Sequence, residues 1–505
     1  MFVEFVLGVV AVLLFYIYAY SPFDYWKKRG VTQVPVELPV VGNFVRGLSE
    51  PAAVRLKRNY DNYPDERYVG TYDVRTPVLL IRDPDLVESF LIKDFSHFYN
   101  RGNPSNPETK LGKHLLNLKD ERWKGLRNKL TPTFTTGKLK GMHSQLVECG
   151  ENLIRSMKKL EDGRPFEIRD VVSRFTMDVI ASCAFGLNLD TINDSESPFR
   201  KIGLTSFTPS LFTQVVLKLP QELRTLLKRL NIGSTPPQML DYFIGAVDET
   251  IAHRAQNKMV RPDFLHLMNE LYQKDKESIE KKQLDPKDPH VFDHSTLVSN
   301  AFVFFLAGFE TTATTISYAM YELAMNDDVQ EEVFKEVSSV LRKHGGTPTF
   351  DACQEMELLE RVISETLRKY PPAVSVDRKA SHEYTVPGSN LTLPAGSNIL
   401  VPIYALHHDP QYFPDPEKFL PERFDESKTA IRKGTYLPFG GGPRICIGAR
   451  FARLEAKVGL AMIVNNFQLV RSEKTLSPLK FAKLAVTLVP EGGVWVAVRP
   501  RNKTA

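Results

Sequence analysis

One short loop near the C-terminal end places a cysteine among glycines, which suits a metal-binding thiolate. Residues 439–448 read F-G-G-G-P-R-I-C-I-G, and the cysteine is Cys446. Residues 440–442 allow a tight turn that brings N–H groups near the sulfur, and Gly448 leaves room for a flat ligand at the start of the next helix. Such dipoles lower a thiol pKa and favour the thiolate. An inert buried thiol is the commoner fate of a lone cysteine, but this loop predicts an activated one.

A second chemical candidate lies inside a long apolar stretch. Residues 307–312 read A-G-F-E-T-T. Gly308 weakens a helix and Thr311 can hydrogen bond to a carbonyl one turn back, so a local opening of the helix is expected. On position alone, a Glu-Thr pair is more often a satisfied core contact or a surface face. Residues that share one helical stripe are predicted to line a ligand site: Val303, Leu306, Ala307 and Thr311.

The cysteine loop has the pattern F-x-x-G-x-R-x-C-x-G, whose chance appearance in such a chain is on the order of one in ten thousand. On this signature the chain resembles the cytochrome P-450 superfamily of haem-thiolate monooxygenases. The resemblance implies haem b as cofactor and Cys446 as the axial ligand of its iron, where a thiolate favours O–O cleavage. It also implies that Arg444 pairs with a haem propionate and that Phe439 shields the sulfur, in a loop shaped by Gly442 and Gly448.

The resemblance assigns roles to further residues. Thr311 would hydrogen bond to the reacting oxygen and steady a water chain, and Glu310 would help to pass protons. Three side chains would bind the haem propionates, because buried anions need cationic or N–H partners: Trp123, Arg127 and Arg378. An ordinary cation–π pair remains the alternative for Trp123 and Arg127. A buried charge network for folding and haem loading would comprise Glu365, Arg368 and Arg423.

The predicted substrate pocket rests on the same resemblance. Its lining would comprise Val303, Phe304, Phe305, Leu306, Ala307, Val374 and the loop 485–489. These side chains are mostly apolar, so a lipophilic substrate is expected: a xenobiotic, an insecticide, a hormone or a fatty-acid-like compound. Residues 261–265, R-P-D-F-L, together with the two motifs above, are most similar to the animal microsomal, xenobiotic-metabolising branch and particularly its insect members.

Two other functions remain open at this level. A thiolate-haem isomerase or dehydratase would need neither reductase nor oxygen, and the Glu310–Thr311 pair speaks against it because that chemistry needs no proton relay. A non-enzymatic haem-binding sensor would suit a closed, six-coordinate site.

The elements that must position these residues are mostly helical. Strand-like alternation is confined to residues 68–82 and 484–498, with helical periodicity between them. Residues 295–325 predict a long helix buried at the centre, and the charged run 273–294 predicts a solvated loop. The predicted fold class is mainly α with minor β-sheets, a cytochrome P-450 fold with haem between the long helix and the cysteine loop.

The N-terminal segment predicts a membrane anchor. Residues 5–20 are all apolar, Gly or Tyr, and they are followed by Trp26 and the cations 27–29. This order predicts a bilayer span, an interfacial aromatic and cytosolic cations. A cleaved signal peptide is the alternative, but no basic start or small-residue cleavage site is evident. The predicted domains are the anchor 1–22, a basic, Pro-containing hinge 23–43 and a monooxygenase domain 44–505, at the endoplasmic reticulum membrane with the domain cytosolic.

Charge and cofactor motifs bear on partners. The chain has 65 Lys+Arg and 60 Asp+Glu, a formal net charge of +5, which is too small for a nucleic-acid-binding surface. It has no G-x-G-x-x-G after a strand and no P-loop, so NADPH would act only through a partner. The resemblance implies NADPH-cytochrome reductase, with cytochrome b5 as a possible second donor. The docking face would carry Lys124, Arg127, Lys129, Lys138, Lys140, Arg450 and Arg453. The apolar segment 206–219 would lie near the substrate entrance, in core, channel or lipid, through Phe207, Leu211, Phe212 and Val215.

Overall fold

The computed structural model describes most of the chain. The described residues are 2–38, 41–43, 49–102, 109–160, 162–187, 189, 191, 197–207, 212, 216, 227, 237–483 and 485–501. Most of the segment 206–219, including Leu211 and Val215, lies outside them.

The fold is mainly helical, as predicted. The described α-helices are α1 Phe2–Tyr20, α2 Ala52–Asp61, α3 Pro84–Glu88, α4 Asp120–Leu130, α5 Thr136–Met157, α6 Ile168–Phe185, α7 Pro198–Phe207, α8 Pro237–Gln256, α9 Phe264–Glu280, α10 His294–Met325, α11 Asp327–Lys343, α12 Phe350–Glu355, α13 Glu357–Lys369, α14 Ile403–His407 and α15 Ala449–Asn466. The described strands are β1 Tyr68–Asp73, β2 Thr76–Ile81, β3 Phe166–Glu167, β4 Val376–Lys379, β5 Tyr384–Thr385, β6 Thr392–Leu393, β7 Asn398–Val401, β8 Phe467–Val470 and β9 Trp495–Pro500.

The strands form three small sheets, in the orders β1-β2-β7-β4, β3-β9-β8 and β5-β6. The alternation in residues 68–82 is an antiparallel hairpin, as predicted. The second predicted run is shorter than expected, because β9 begins only at Trp495. Its earlier part is irregular, and this lets residues 486 and 487 reach the central cavity.

Helix α10 is the central element, as the apolar run at residues 295–325 predicted. Asp293 caps it by accepting a hydrogen bond from the Thr296 N–H at 2.7 Å. It is long and apolar enough to cross a membrane, but 72% of its apolar window is buried against neighbours, chiefly α6, as expected of a core helix. The charged run before it is only partly a loop, since α9 continues to Glu280. Its lysines and glutamates favour helix as readily as loop.

The N-terminal helix α1 differs from α10 because its apolar side chains are exposed, with Phe5 at 71% and Leu14 at 60%. The segment after it belongs to the folded domain. Trp26 is 1% exposed and donates from Nε1 to the Thr71 carbonyl, so its prediction as an interfacial aromatic is wrong. Part of the predicted hinge pairs with strand β1, since the Val34 N–H donates to the Gly70 carbonyl at 2.8 Å. Strand β1 offers an edge that an extended Pro-containing chain can join.

Candidate active site

One large cavity brings together most of the residues singled out above. Its volume is about 600 Å³, and α10 forms one wall while the cysteine loop and the start of α15 form the opposite wall. Helix α4 and the segment 372–377 close the sides. Predicted residues that line it are Trp123, Arg127, Val303, Phe304, Leu306, Ala307, Thr311, Phe439, Arg444, Cys446 and Gly448.

The cysteine loop is held by its own backbone. The Cys446 N–H donates to the Phe439 carbonyl at 2.9 Å, and the Ile445 N–H donates to the Gly442 carbonyl at 2.9 Å. Gly442 has φ +67°, and a Cβ there would lie 1.7 Å from the Leu91 carbonyl oxygen. This is the position where glycine is required, because both the left-handed backbone and the close approach of residue 91 exclude a side chain.

We expect Gly442→Ala to destabilise the protein much more than Gly440→Ala. Both glycines have positive φ, but a Cβ at Gly440 meets nothing closer than 3.8 Å. The Gly440 variant should therefore lose only the backbone preference, about 1–2 kcal/mol, while the Gly442 variant also displaces the Leu91 carbonyl. Urea denaturation followed by circular dichroism measures both, and equal losses would contradict this account of the loop.

The expected activation of the Cys446 thiol is only partly present. Hydrogen bonding from the Gly448 N–H and the charges of Arg127 and Arg101 favour the thiolate, but burial has the larger effect and raises the pKa of the Cys446 thiol. The prediction that glycine-loop dipoles lower this pKa is therefore wrong for the protein chain itself. The dipoles are too few to offset transfer of the charge from water. The accessible part of the side chain faces the cavity.

Three arginines line the same cavity, Arg101, Arg127 and Arg444, and the buried Arg378 lies close enough to Arg444 to repel it. Burial and their mutual repulsion lower the pKa of Arg444 to about 9 and that of Arg378 to about 10. Arg444 donates from Nη2 to the Leu118 carbonyl at 3.0 Å and stacks on Trp123 at 4.1 Å. The cation–π partner of Trp123 is thus Arg444, and the alternative pair with Arg127 is not formed.

The arginine cluster fits a haem group. Buried guanidinium nitrogens of Arg101, Arg378 and Arg444 have no hydrogen-bond partner among the described residues. Buried cations at such density need anions nearby, and the two carboxylates of haem would supply them. Gly448 also lines the cavity, where a Cβ would meet nothing nearer than 3.8 Å, so it leaves a flat face open. With a thiol opposite α10, the donor set suits an iron porphyrin.

Helix α10 presents a hydroxyl to the cavity and turns a carboxylate away from it. Thr311 donates from Oγ1 to the Ala307 carbonyl at 2.7 Å, as predicted, but α10 remains helical throughout and the expected local opening is absent. Glu310 is fully buried and binds Arg169 at 2.5 Å. Burial raises the pKa of its carboxyl, and Arg169 opposes that rise.

Glu310 is not among the described residues that line the cavity. Its placement therefore does not support the prediction that it passes protons there. Successive helical residues point in directions about 100° apart, so residues 310 and 311 face different neighbours.

Two predicted pocket residues lie elsewhere. Val374 is flanked by Ala373 and Ser375, which line the cavity, but it packs against the main hydrophobic core. Phe305 is fully buried in that core, where it contacts Phe185, Phe199 and Phe243. The loop prediction for 485–489 is confirmed for Val486 and Thr487.

Sequence reasoning missed Arg101 and His114, both of which line the cavity. Neither stands in a recognisable motif. Arg101 comes beside Arg378 because the chain pairs there with β4: the Lys379 N–H donates to the Asn100 carbonyl at 2.8 Å. A long-range pairing of this kind leaves no local pattern in the sequence.

The predicted charge network is present outside the cavity. Arg368 donates from Nε and Nη2 to the two Glu365 oxygens at 2.7 and 2.8 Å, and Arg423 lies 3.4 Å from Glu365. Glu365 and Arg368 are completely buried. The structure thus brings these three residues together, and their role in folding and haem loading stays a prediction.

Several residues of the predicted basic docking face are paired with acidic residues of the chain. Lys129 binds Asp275, Lys140 binds Asp351, Lys124 lies near Glu121, and Arg453 binds Glu360. Arg127 faces the cavity. Lys138 and Arg450 are exposed.

Comparison with known proteins gives a consistent result. The family model described as Cytochrome P450 matches residues 33–496. The chain is 37% identical over 489 residues to "Probable cytochrome P450 6a14" of Drosophila melanogaster, covering 94% of this chain and 95% of the relative. It is 36% identical over 505 residues to "Cytochrome P450 6a2" of the same species, covering 97% of each chain. It is 34% identical over 505 residues to "Cytochrome P450 6B1" of Papilio polyxenes, covering 97% of this chain and 99% of the relative.

Proposed function

The chain belongs to the cytochrome P450 family and is a haem-thiolate monooxygenase, and we propose that it oxidises lipophilic compounds at the endoplasmic reticulum membrane with electrons from NADPH-cytochrome reductase. The observation that carries this proposal is the cavity in which the Cys446 thiol, the arginines Arg101, Arg127 and Arg444 and the apolar face of α10 meet, with Arg378 beside Arg444.

In this proposal Cys446 would ligate the haem iron, while Arg101, Arg127, Arg378 and Arg444 would hold the haem carboxylates. When bound, the haem supplies the redox chemistry that reduces dioxygen and oxidises the substrate. The Gly448 N–H and the charges of Arg127 and Arg101 stabilise the sulfur anion once its proton has left. The Phe439 carbonyl accepts the hydrogen bond from the Cys446 N–H that orders the loop, and the Arg453 guanidinium lies 5.2 Å above the Phe439 ring. The Phe439 ring therefore makes a cation–π contact with Arg453.

Thr311 is one of the threonines of α10 that line the cavity, with Thr312 and Thr315. Its proton is held by the Ala307 carbonyl, so the oxygen lone pairs can accept a hydrogen bond from water or from a protonated oxygen. After rotation about one bond, the same hydroxyl can donate a hydrogen bond toward the cavity. Thr311 thus holds and orients a water or a protonated oxygen in the cavity.

The proposed substrate class follows from the cavity wall. The apolar lining opposite the cysteine loop comprises Leu115, Leu116, Ile180, Phe207, Phe302, Val303, Phe304, Leu306, Ala307 and Val486. An apolar wall binds a substrate by burying its apolar surface rather than through fixed hydrogen bonds, so the shape and size of the cavity select the substrate. This supports foreign lipophilic compounds of varied structure as substrates.

The membrane proposal rests on α1. Its 19 residues include large exposed apolar side chains that a bilayer would cover, and three exposed cations follow at Lys27–Arg29. Arg75 in the β1–β2 turn donates to the Tyr18 carbonyl at 3.0 Å, and its guanidinium stacks on the Tyr18 ring. This contact holds the end of α1 against the domain.

Reconstitution with reductase tests the proposed function. We expect the membrane fraction of cells that express the full chain to consume NADPH with lipophilic substrates and to insert one atom of ¹⁸O₂ into product. Thr311→Ala should lower product per NADPH by about 100-fold, since it removes a positioned proton donor, while Thr311→Ser should retain most of it. Product that carries no ¹⁸O would contradict the proposed reaction. Full activity in a soluble fraction from which the membranes have been removed would contradict the proposed location.

A further inference from the structure

An irregular segment of the chain, residues 113–116, forms part of the cavity wall. His114, Leu115 and Leu116 line the cavity, and they lie outside any helix or strand. The backbone makes a turn here, in which the His114 carbonyl accepts from the N–H groups of Asn117 and Leu118 at 3.0 and 3.1 Å. A segment without a regular hydrogen-bonded ladder takes its position from the groups that bind it from outside. The partners of its other peptide groups therefore decide where this part of the wall stands.

Asn300 on α10 binds the segment on both sides of His114. The Leu115 N–H donates to Asn300 Oδ1 at 3.1 Å, and Asn300 Nδ2 donates to the Lys113 carbonyl at 3.2 Å. The same Nδ2 group donates to the Thr296 carbonyl, one turn earlier on α10, at 2.7 Å. A carboxamide carries both donors and an acceptor, so it can pair with a peptide backbone much as a neighbouring strand does. Asn300 thus holds the segment and is itself held by its own helix.

The surroundings of Asn300 make these bonds important. Its side chain is completely buried, so no water would replace it as a partner of the Leu115 N–H. A second link joins the same parts of the chain, since Lys113 Nζ lies 2.6 Å from Asp293 Oδ2 at the start of α10. Both of those charged side chains are partly exposed, and ion pairs at the surface contribute little. Asn300 is therefore the stronger of the two links.

Asn300 joins two walls of the cavity without being part of either. It is not among the described residues that line the cavity, but Val303 and Phe304, one turn further along α10, do line it. The opposite end of its hydrogen bonds is the segment 113–116. Because an apolar cavity selects by shape, a shift of one wall against the other changes which atom of a bound substrate faces Cys446.

We propose that Asn300 is a positioning residue that fixes the segment 113–116 against α10 and thereby determines the position at which a lipophilic substrate is oxidised. This inference rests on the proposed function. Asn300 takes no part in the reaction itself and acts through the side chains of His114, Leu115 and Leu116. Loss of the carboxamide leaves the haem site intact and allows the segment to move away from α10.

Hydrogen–deuterium exchange of the holoenzyme tests the link without turnover. We expect the amide protons of residues 113–118 to exchange about tenfold faster in Asn300→Leu than in the wild type, since the Leu115 N–H loses its buried partner. Asn300→Asp has the same size and keeps an acceptor for that N–H, so exchange should rise less. Ser299→Ala is the matched control, because Ser299 is equally buried on α10 and its hydroxyl has no partner among the described residues. Equal exchange in Asn300→Leu and in this control would overturn the inference.

Turnover then tests the effect on selectivity. Dodecanoic acid is the first probe, because its many similar CH₂ groups let the cavity decide which carbon is oxidised. We expect the ratio of its two main hydroxylated products to change by about tenfold in Asn300→Leu, to change less in Asn300→Asp and to stay at the wild-type value in Ser299→Ala.

A purely structural asparagine would give a different result. Its replacement would lower the haem content and all products together without changing their ratio, and this outcome in Asn300→Leu or Asn300→Asp would overturn the inference. The reduced carbon monoxide spectrum of each sample gives its haem content. A wild type that lacks the red-shifted band and oxidises no lipophilic compound would refute the proposed function instead, whereas the exchange result concerns Asn300 alone.

Discussion

Replacing Cys446 with serine should abolish the strongly red-shifted Soret band of the dithionite-reduced, carbon monoxide-bound protein. A serine hydroxyl is far less acidic than a thiol and does not provide a thiolate ligand, which is the group that defines this class of haem site. Monooxygenase activity should fall to background in the same sample. The difference spectrum with and without carbon monoxide measures the ligand directly, before any substrate is known.

The geometry of the loop makes this test specific. The Cys446 contact that orders the loop is its backbone N–H, which donates to Phe439 and is unchanged in the serine variant. Cys353→Ser is the matched control, because that thiol is buried on α12 and donates to the Pro348 carbonyl, which serine also does. The control should retain the band. A red-shifted band in Cys446→Ser would exclude Cys446 as the ligand, and with it the assignments built on the loop.

The parts of this site that could be read from sequence are those whose chemistry is local. The turn at residues 440–442 requires glycine within a few residues of Cys446, and a long apolar run predicts the buried helix α10. Stripe positions such as Val303 and Ala307 follow from helical periodicity alone. For these features, neighbours in sequence are neighbours in space.

The parts that could not be read depend on partners distant in sequence. Glu310 is predicted to help pass protons, but its buried carboxylate pairs with Arg169 on α6. Val374 is predicted to line the pocket, but its side chain packs against the main core, and its carbonyl accepts from the Tyr404 N–H at 3.0 Å. Its neighbours Ala373 and Ser375 line the cavity instead.

Replacing Arg368 should have the largest effect on stability. Its guanidinium binds both oxygens of Glu365 and also donates from Nη1 to the His407 carbonyl at 2.9 Å. The Arg368→Met variant leaves the Glu365 carboxylate buried with Arg423 at 3.4 Å as its remaining cation and a hydrogen bond from the Leu420 N–H at 3.0 Å. Removing one partner of a buried ion pair costs about 3–5 kcal/mol, a large share of the 5–15 kcal/mol that stabilises a typical domain. We therefore expect little folded, haem-loaded protein.

The loss should extend to the cysteine loop, because Arg368 is joined to it through His407. His407 Nδ1 lies 3.1 Å from the Arg368 carbonyl, and its Nε2 accepts from the Leu437 N–H at 2.8 Å, two residues before Phe439. This bond requires neutral histidine, and burial with the Arg368 charge lowers the pKa of His407 to about 3.

The free energy of unfolding, measured by urea denaturation, and the haem content should therefore fall together in Arg368→Met. Both should fall less in Arg368→Lys, because lysine keeps the charge but has too few donors for these bonds. Lys57→Met breaks an exposed pair with Asp61 on α2 and should cost no more than about 1 kcal/mol. A stability of Arg368→Met equal to that control would show that the buried network does not support the cysteine loop.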